Sequence, residues 1–104
     1  MNIEKIKRAN EIKQLRDIMN RYFIQTDEHI ETNHHTITYR AGVLDKFYLR
    51  LTLYLHFTKY VLVMERILEE KPYELFRGIV SPKTLDIIIE SIMPQHNPLY
   101  ETED

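Results

Sequence analysis

Apolar positions along this chain fall into three blocks with polar breaks between them. In the first block, Ile12, Leu15, Ile18, Met19, Tyr22 and Phe23 recur at three- and four-residue spacing. That period places them on one face of a helix and predicts a first helix over residues 3 to about 26. Ile3 and Ile6 fall off this stripe.

The second block, Val43 to Lys71, carries no proline or glycine and reads as one long central helix. At 100° per residue, Val43, Leu44, Phe47, Tyr48, Leu51, Tyr54, Leu55, Val61 and Leu62 share a broad face. Leu49, Leu53, Phe57, Tyr60, Met64 and Ile67 make a second apolar region beside it. Asp45, Thr52, His56, Lys59 and Arg66 form a narrow polar strip. Pro72 ends this helix. Residues 72–77 then predict a short helical turn stopped by Gly78. Ser81 is a natural N-cap with Pro82 at the first helical position. The last helix is expected to run to Met93, with Leu85, Ile88, Ile89 and Ile92 as its buried row.

Between the first two blocks, Thr36-Ile37-Thr38-Tyr39-Arg40 alternates polar and apolar side chains like a short strand. No second strand within the chain suggests itself as its partner. The fold expected from these elements is all-α: a small bundle of three to four helices with one long central helix and an extended segment near residues 36–40. Residues 1–94 form a single helical domain, and residues 95–104 an acidic, flexible tail. The helix over 43–71 carries more apolar surface than a chain of 104 residues can cover, which predicts a homodimer or a stable complex with another protein.

Composition narrows the chemistry. Net charge is −2, too small to create a strong field for nucleic acid or anionic lipid. Basic residues gather in the first 24 positions and acidic ones after residue 72. There is no cysteine, which excludes disulfides, thiol catalysis and thiolate metal sites and permits a reducing, cytoplasmic setting. The opening residues lack the apolar stretch of a secretory signal. Charges at Asp45, Lys46, Arg50 and Lys59 interrupt the central block too often for a membrane span. Frequent Ile, Lys, Asn and Tyr with two Ala and two Gly fit an AT-rich coding sequence, as in low-GC bacteria or viruses.

Candidate chemistry is sparse. His29, His34 and His35 lie near Asp27, Glu28 and Glu31, but adjacent histidines on extended backbone point to opposite sides. Glu65 and Glu69 are spaced for one helical face, with Arg66 and Lys71 as ordinary pairing partners. Ser81 and Ser91 are the only serines and neither sits in a nucleophile elbow. Two glycines cannot build a phosphate-cradling loop. No cofactor, no metal site and no catalytic residue is expected.

The chain therefore reads as a non-enzymatic protein–protein interaction module, a regulator, inhibitor or assembly adaptor. Leu49, Leu53, Phe57, Tyr60 and Met64 are the expected anchors, with Lys59 and Arg66 at the rim. The alternative is a nucleic-acid-binding accessory factor that uses Lys5, Arg8, Lys13 and Arg16 of the first helix.

Overall fold

The computed structural model describes residues 2–96, with side chains as far as Met93. Helix α1 (Ile3–Tyr22) leads into five strands, β1 (Ile24–Glu31), β2 (His34–Ala41), β3 (Phe47–Leu55), β4 (Tyr60–Leu68) and β5 (Lys71–Val80), and helix α2 (Pro82–His96) follows. The strands form one antiparallel meander in the order β1-β2-β3-β4-β5. Both helices lie over one face of it. This is a two-layer α+β fold, and the expected all-α bundle is wrong.

The error lies in the central block. Residues 47–68 are the β3–β4 hairpin, not part of a helix. The deciding pattern is Phe47-Tyr-Leu-Arg-Leu-Thr-Leu-Tyr-Leu55, in which every second residue is leucine from Leu49 on. Leu49, Leu51, Leu53 and Leu55 are buried, while Tyr48, Arg50, Thr52 and Tyr54 between them are half-exposed. As a strand, this segment puts all four leucines on one face. As a helix, it would spread them around the circumference and leave much of that oil uncovered. Burying each leucine contributes about 2 kcal/mol, so the chain takes the geometry in which its own helices cover all four.

Two turns hid the strands. The β3–β4 connection, His56-Phe57-Thr58-Lys59, contains none of the usual turn residues. The β4–β5 connection is Glu69-Glu70, with φ of 51° and 73°. Positive φ at both positions marks a two-residue hairpin turn of the primed type, which Asn-Gly normally supplies. The expected helical turn at 72–77 is likewise part of β5. The extended segment expected near residues 36–40 does form, as the centre of β2, and it is paired within the chain to β1 and β3.

Both terminal helices form. Asn2 caps α1, its side chain accepting the Glu4 N–H at 2.9 Å. Helix α1 stops at Tyr22, four residues short of the expected end, because Ile24 enters β1. Leu15, Ile18 and Met19 are its buried row, as its periodicity predicts. Ser81 caps α2: its Oγ accepts the Thr84 N–H at 3.3 Å, and Thr84 Oγ1 accepts the Ser81 N–H at 2.9 Å, a reciprocal box. Helix α2 continues past Met93 to His96. Gln95 and His96, expected in the tail, are thus helical. The rest of that tail, residues 97–104, lies outside the described residues.

A single core unites the layers. Leu15, Ile18, Met19, Leu85, Ile89 and Met93 from the helices meet Ile37, Tyr39, Leu49, Leu51, Leu53, Leu62 and Met64 from the sheet. The Tyr22 hydroxyl donates to Asp86 at 2.6 Å and clasps α1 to α2.

Giving the β4–β5 turn the residues its backbone favours, by the double change Glu69→Asn with Glu70→Gly, is expected to raise stability by about 1–2 kcal/mol in urea unfolding. Tyr39 is fully buried, and its hydroxyl finds no hydrogen-bond partner among the described residues. Tyr39→Phe removes that unsatisfied group and is expected to raise stability by about 1 kcal/mol. A loss of stability on that change, measured the same way, would contradict the account of this core.

Candidate protein-docking surface

The helices cover only the inner face of the sheet. The outer face is built in cross-strand rows, because directly paired residues of neighbouring strands point the same way. One row is Thr36, Tyr54, Val61 and Ile79. The next is Thr38, Thr52, Val63 and Arg77. The third is Arg40, Arg50, Glu65 and Glu74, and the fourth is Tyr48, Ile67 and Pro72. Val63 and Ile67 are buried on this face although neither helix covers it. Their cross-strand neighbours shield them: Thr52 and Arg77 flank Val63, and Tyr48 and Pro72 flank Ile67.

Two pairs of opposite charges on the outer face close within the chain. Arg50 Nε donates to Glu65 at 3.1 Å, and Arg77 Nε donates to Glu74 at 2.8 Å. The Arg40 guanidinium lies 4.0 Å over the Tyr48 ring and donates to the Gly42 carbonyl at 3.1 Å, holding the β2–β3 loop. Gly42 has φ of 107°, a conformation that excludes most other residues.

The apolar end of this face meets the β3–β4 turn. Phe57 at the turn is 74% exposed and Ile79 on β5 is 66% exposed. Two hollows lie against Ile79 and share Lys59. One, about 570 Å³, is lined by His34, Tyr54, His56, Lys59, Val61, Arg77, Gly78 and Ile79. The other, about 260 Å³, is lined by Glu11, Phe57, Thr58, Lys59, Tyr60, Ile79 and Val80. The Tyr54 and His56 rings, both in the lining of the first, stack at 6.1 Å. Beside both runs β5, an edge strand ten residues long with no strand on its outer side among the described residues.

The expected anchors are divided by this arrangement. Leu49, Leu53 and Met64 are fully buried in the chain's own core and cannot meet a partner. Arg66 lies directly opposite Leu49 and is half-buried. Phe57 and Lys59 stay exposed, while Tyr60 is half-buried against the core with its hydroxyl donating to Glu11 at 3.1 Å; all three line the second hollow. Tyr54, Val61, Arg77 and Ile79 join them, and the helical reading missed all four as a group. The signal for them was the alternation in β3 and β4, which sends Tyr54 and Val61 to the face opposite the leucines.

Two of the four basic residues expected to meet nucleic acid serve the fold instead. Arg8 donates to the His56 and Leu55 carbonyls at 2.7 and 2.8 Å and lies 5.5 Å from the Phe57 and Tyr60 ring centres. It ties α1 to the β3–β4 turn. Arg16 forms a two-point ion pair with Glu28 on β1, with Nη1 to Oε1 at 2.9 Å. His35 adds a third contact to Glu28 at 2.8 Å. Lys5 and Lys13 remain exposed on α1. The nucleic-acid alternative thus keeps two of its four cations for a ligand.

The histidines divide as alternation requires. His35 turns to the inner side with Glu28, while His34 lies on the outer side beside His29, ring centres 5.8 Å apart. His29 also lies 3.0 Å from Glu31. Among the described residues no group of three or more His, Asp or Glu side chains is arranged to hold a metal ion. No helix among them is long and apolar enough to cross a membrane. Comparison with known protein families, characterised proteins and solved structures finds no match.

The Arg16 guanidinium, with help from His35, holds the Glu28 carboxyl at about 2, well below its ordinary value near 4.5, against the opposing effect of burial. A carboxyl depressed on folding stabilises the fold above its unfolded value, and the gain is lost as pH falls through the folded value. Stability should therefore drop between pH 4.5 and 2. Glu28→Gln is expected to lower stability at pH 7 by about 2 kcal/mol and to flatten that acid slope, as read from urea unfolding at a series of pH values.

Proposed function

We propose that this chain is a non-enzymatic protein-binding module, and that it grips its partner at the β5 edge and the adjoining apolar corner of the outer face. The observation that carries this reading is the juxtaposition of an open edge strand with Phe57 and Ile79, two large apolar side chains left exposed beside it. An edge offers unpaired backbone N–H and C=O groups to an added strand, and side-chain hollows beside it supply selectivity. Lys59 and Arg77 supply charge at the rim. In this reading the module regulates, inhibits or scaffolds its partner by occupying it. A cytoplasmic setting goes with it, since a cysteine-free chain needs no oxidising compartment.

The test is capture by the tagged full chain, comparing wild type with Phe57→Asp and Ile79→Asp. Both positions are open, so both variants should keep the wild-type circular dichroism spectrum. Wild type is expected to retain a protein ligand, its own copies included, and each variant to retain about tenfold less. Equal retention by all three, or none by wild type above the tag alone, would overturn the reading.

A further inference from the structure

We propose that the strand added to β5 is the β5 of a second copy of this chain, paired antiparallel so that Glu74 of each copy faces Arg77 of the other. This rests on the reading of β5 as a binding edge and names its occupant.

The side-chain pattern of β5 is symmetric about its bulge. The β4–β5 register shifts between Met64 and Glu65, which leaves Leu75 as an extra residue on β5. Side chains therefore alternate on either side of Leu75 but change phase there. Pro72 and Glu74 before the bulge, and Arg77 and Ile79 after it, all lie on the outer face. Tyr73, Phe76 and Gly78 lie on the inner one. An unbulged strand pairs with itself face to face only when the axis passes through a residue. The bulge makes the faces agree when the axis passes between Leu75 and Phe76.

That axis sets Glu74 opposite Arg77, Pro72 opposite Ile79, and Tyr73 opposite Gly78. Neighbouring registers lose this. A shift of two residues one way puts Pro72 against Arg77, and the other way puts Glu74 against Ile79. In the matched register the intrachain Glu74–Arg77 pair of each copy meets that of the other as one cluster of two acids and two bases, and apolar side chains meet beside it. On the inner face Gly78 leaves room for an aromatic ring. The Phe76 ring already lies over it, 2.9 Å from where a Cβ would stand, and Tyr73, 51% exposed, would extend that cover.

A twofold axis perpendicular to the sheet keeps both outer faces on one side. The apolar row Tyr54–Val61–Ile79 of one copy then continues into the row Pro72–Ile67–Tyr48 of the other. The two five-stranded sheets become one of ten. The opposite edge is unsuited to self-pairing, because β1 carries Asp27, Glu28 and Glu31 and would oppose acid to acid.

Sedimentation of the full chain over micromolar concentrations tests this, with Glu74→Arg, Arg77→Glu and the double exchange E74R/R77E. Wild type is expected to dimerise. Each single reversal should weaken the dimer about tenfold, since symmetry makes it act twice, and the double exchange should restore it. The chain has no cysteine, so a Pro72→Cys/Ile79→Cys variant reports register directly: oxidation should give covalent dimers. A wild type that stays monomeric, or a double exchange that fails to restore association, overturns the proposal. If the wild type is monomeric yet Phe57→Asp abolishes capture of a different protein, the self-pairing falls and the binding reading stands. Loss of both removes the two together.

Discussion

Everything in this fold depends on the contact between the leucine face of β3 and the two helices above it. Leu49, Leu51 and Leu53 have no solvent exposure at all. They lie in the middle strand of five, where each is flanked by strand neighbours and roofed by Leu15, Met19, Leu85 or Ile89 of the same core. Without the helices that face would be open to water. Without the strand the helices would have no surface to bury against. The terminal helices, far apart in the chain, are thus brought side by side by one sheet between them, and the Tyr22–Asp86 hydrogen bond closes the roof.

The polar contacts follow from that roof. Helix α1 carries two half-buried arginines that reach different strands. Arg8 satisfies backbone carbonyls at the β3–β4 turn, and Arg16 pairs with Glu28 on β1. Ordinary solvated arginines would contribute little. These are partly shielded and matched to fixed acceptors, so they set where the helix lies. The same use removes them from any external electrostatic footprint, and the other side of the sheet is left uncovered by either helix.

That other side is governed by edges and rows. A five-stranded open sheet has two edges. One, β1, is acidic and carries a register shift between Gln25 and Asp27. The other, β5, places opposite charges three residues apart across a bulge and leaves Tyr73 and Ile79 open. The bulge sets which side chains share a face, and so gives this edge its symmetry.

The sequence by itself determined the two helices, the Ser81 cap and the buried row of α1, because a 3.6-residue period and a capping residue are local features. It also determined that the β2 segment is extended, through the alternation from Thr36 to Arg40. It did not reveal the hairpins. The β3 alternation was present in the leucines, but the His56–Lys59 and Glu69-Glu70 turns carry no local punctuation. An uninterrupted apolar run can serve as a helix or as two strands until something covers it. Only the tertiary structure decided between them, because sheet pairing and the helical roof bury those leucines together, and neither acts within a single segment. Phe57 and Lys59 were legible as surface residues, whereas Ile79, Tyr54 and Val61 became their neighbours only through strand register. Register is a long-range property, set by which side chains find cover across the sheet.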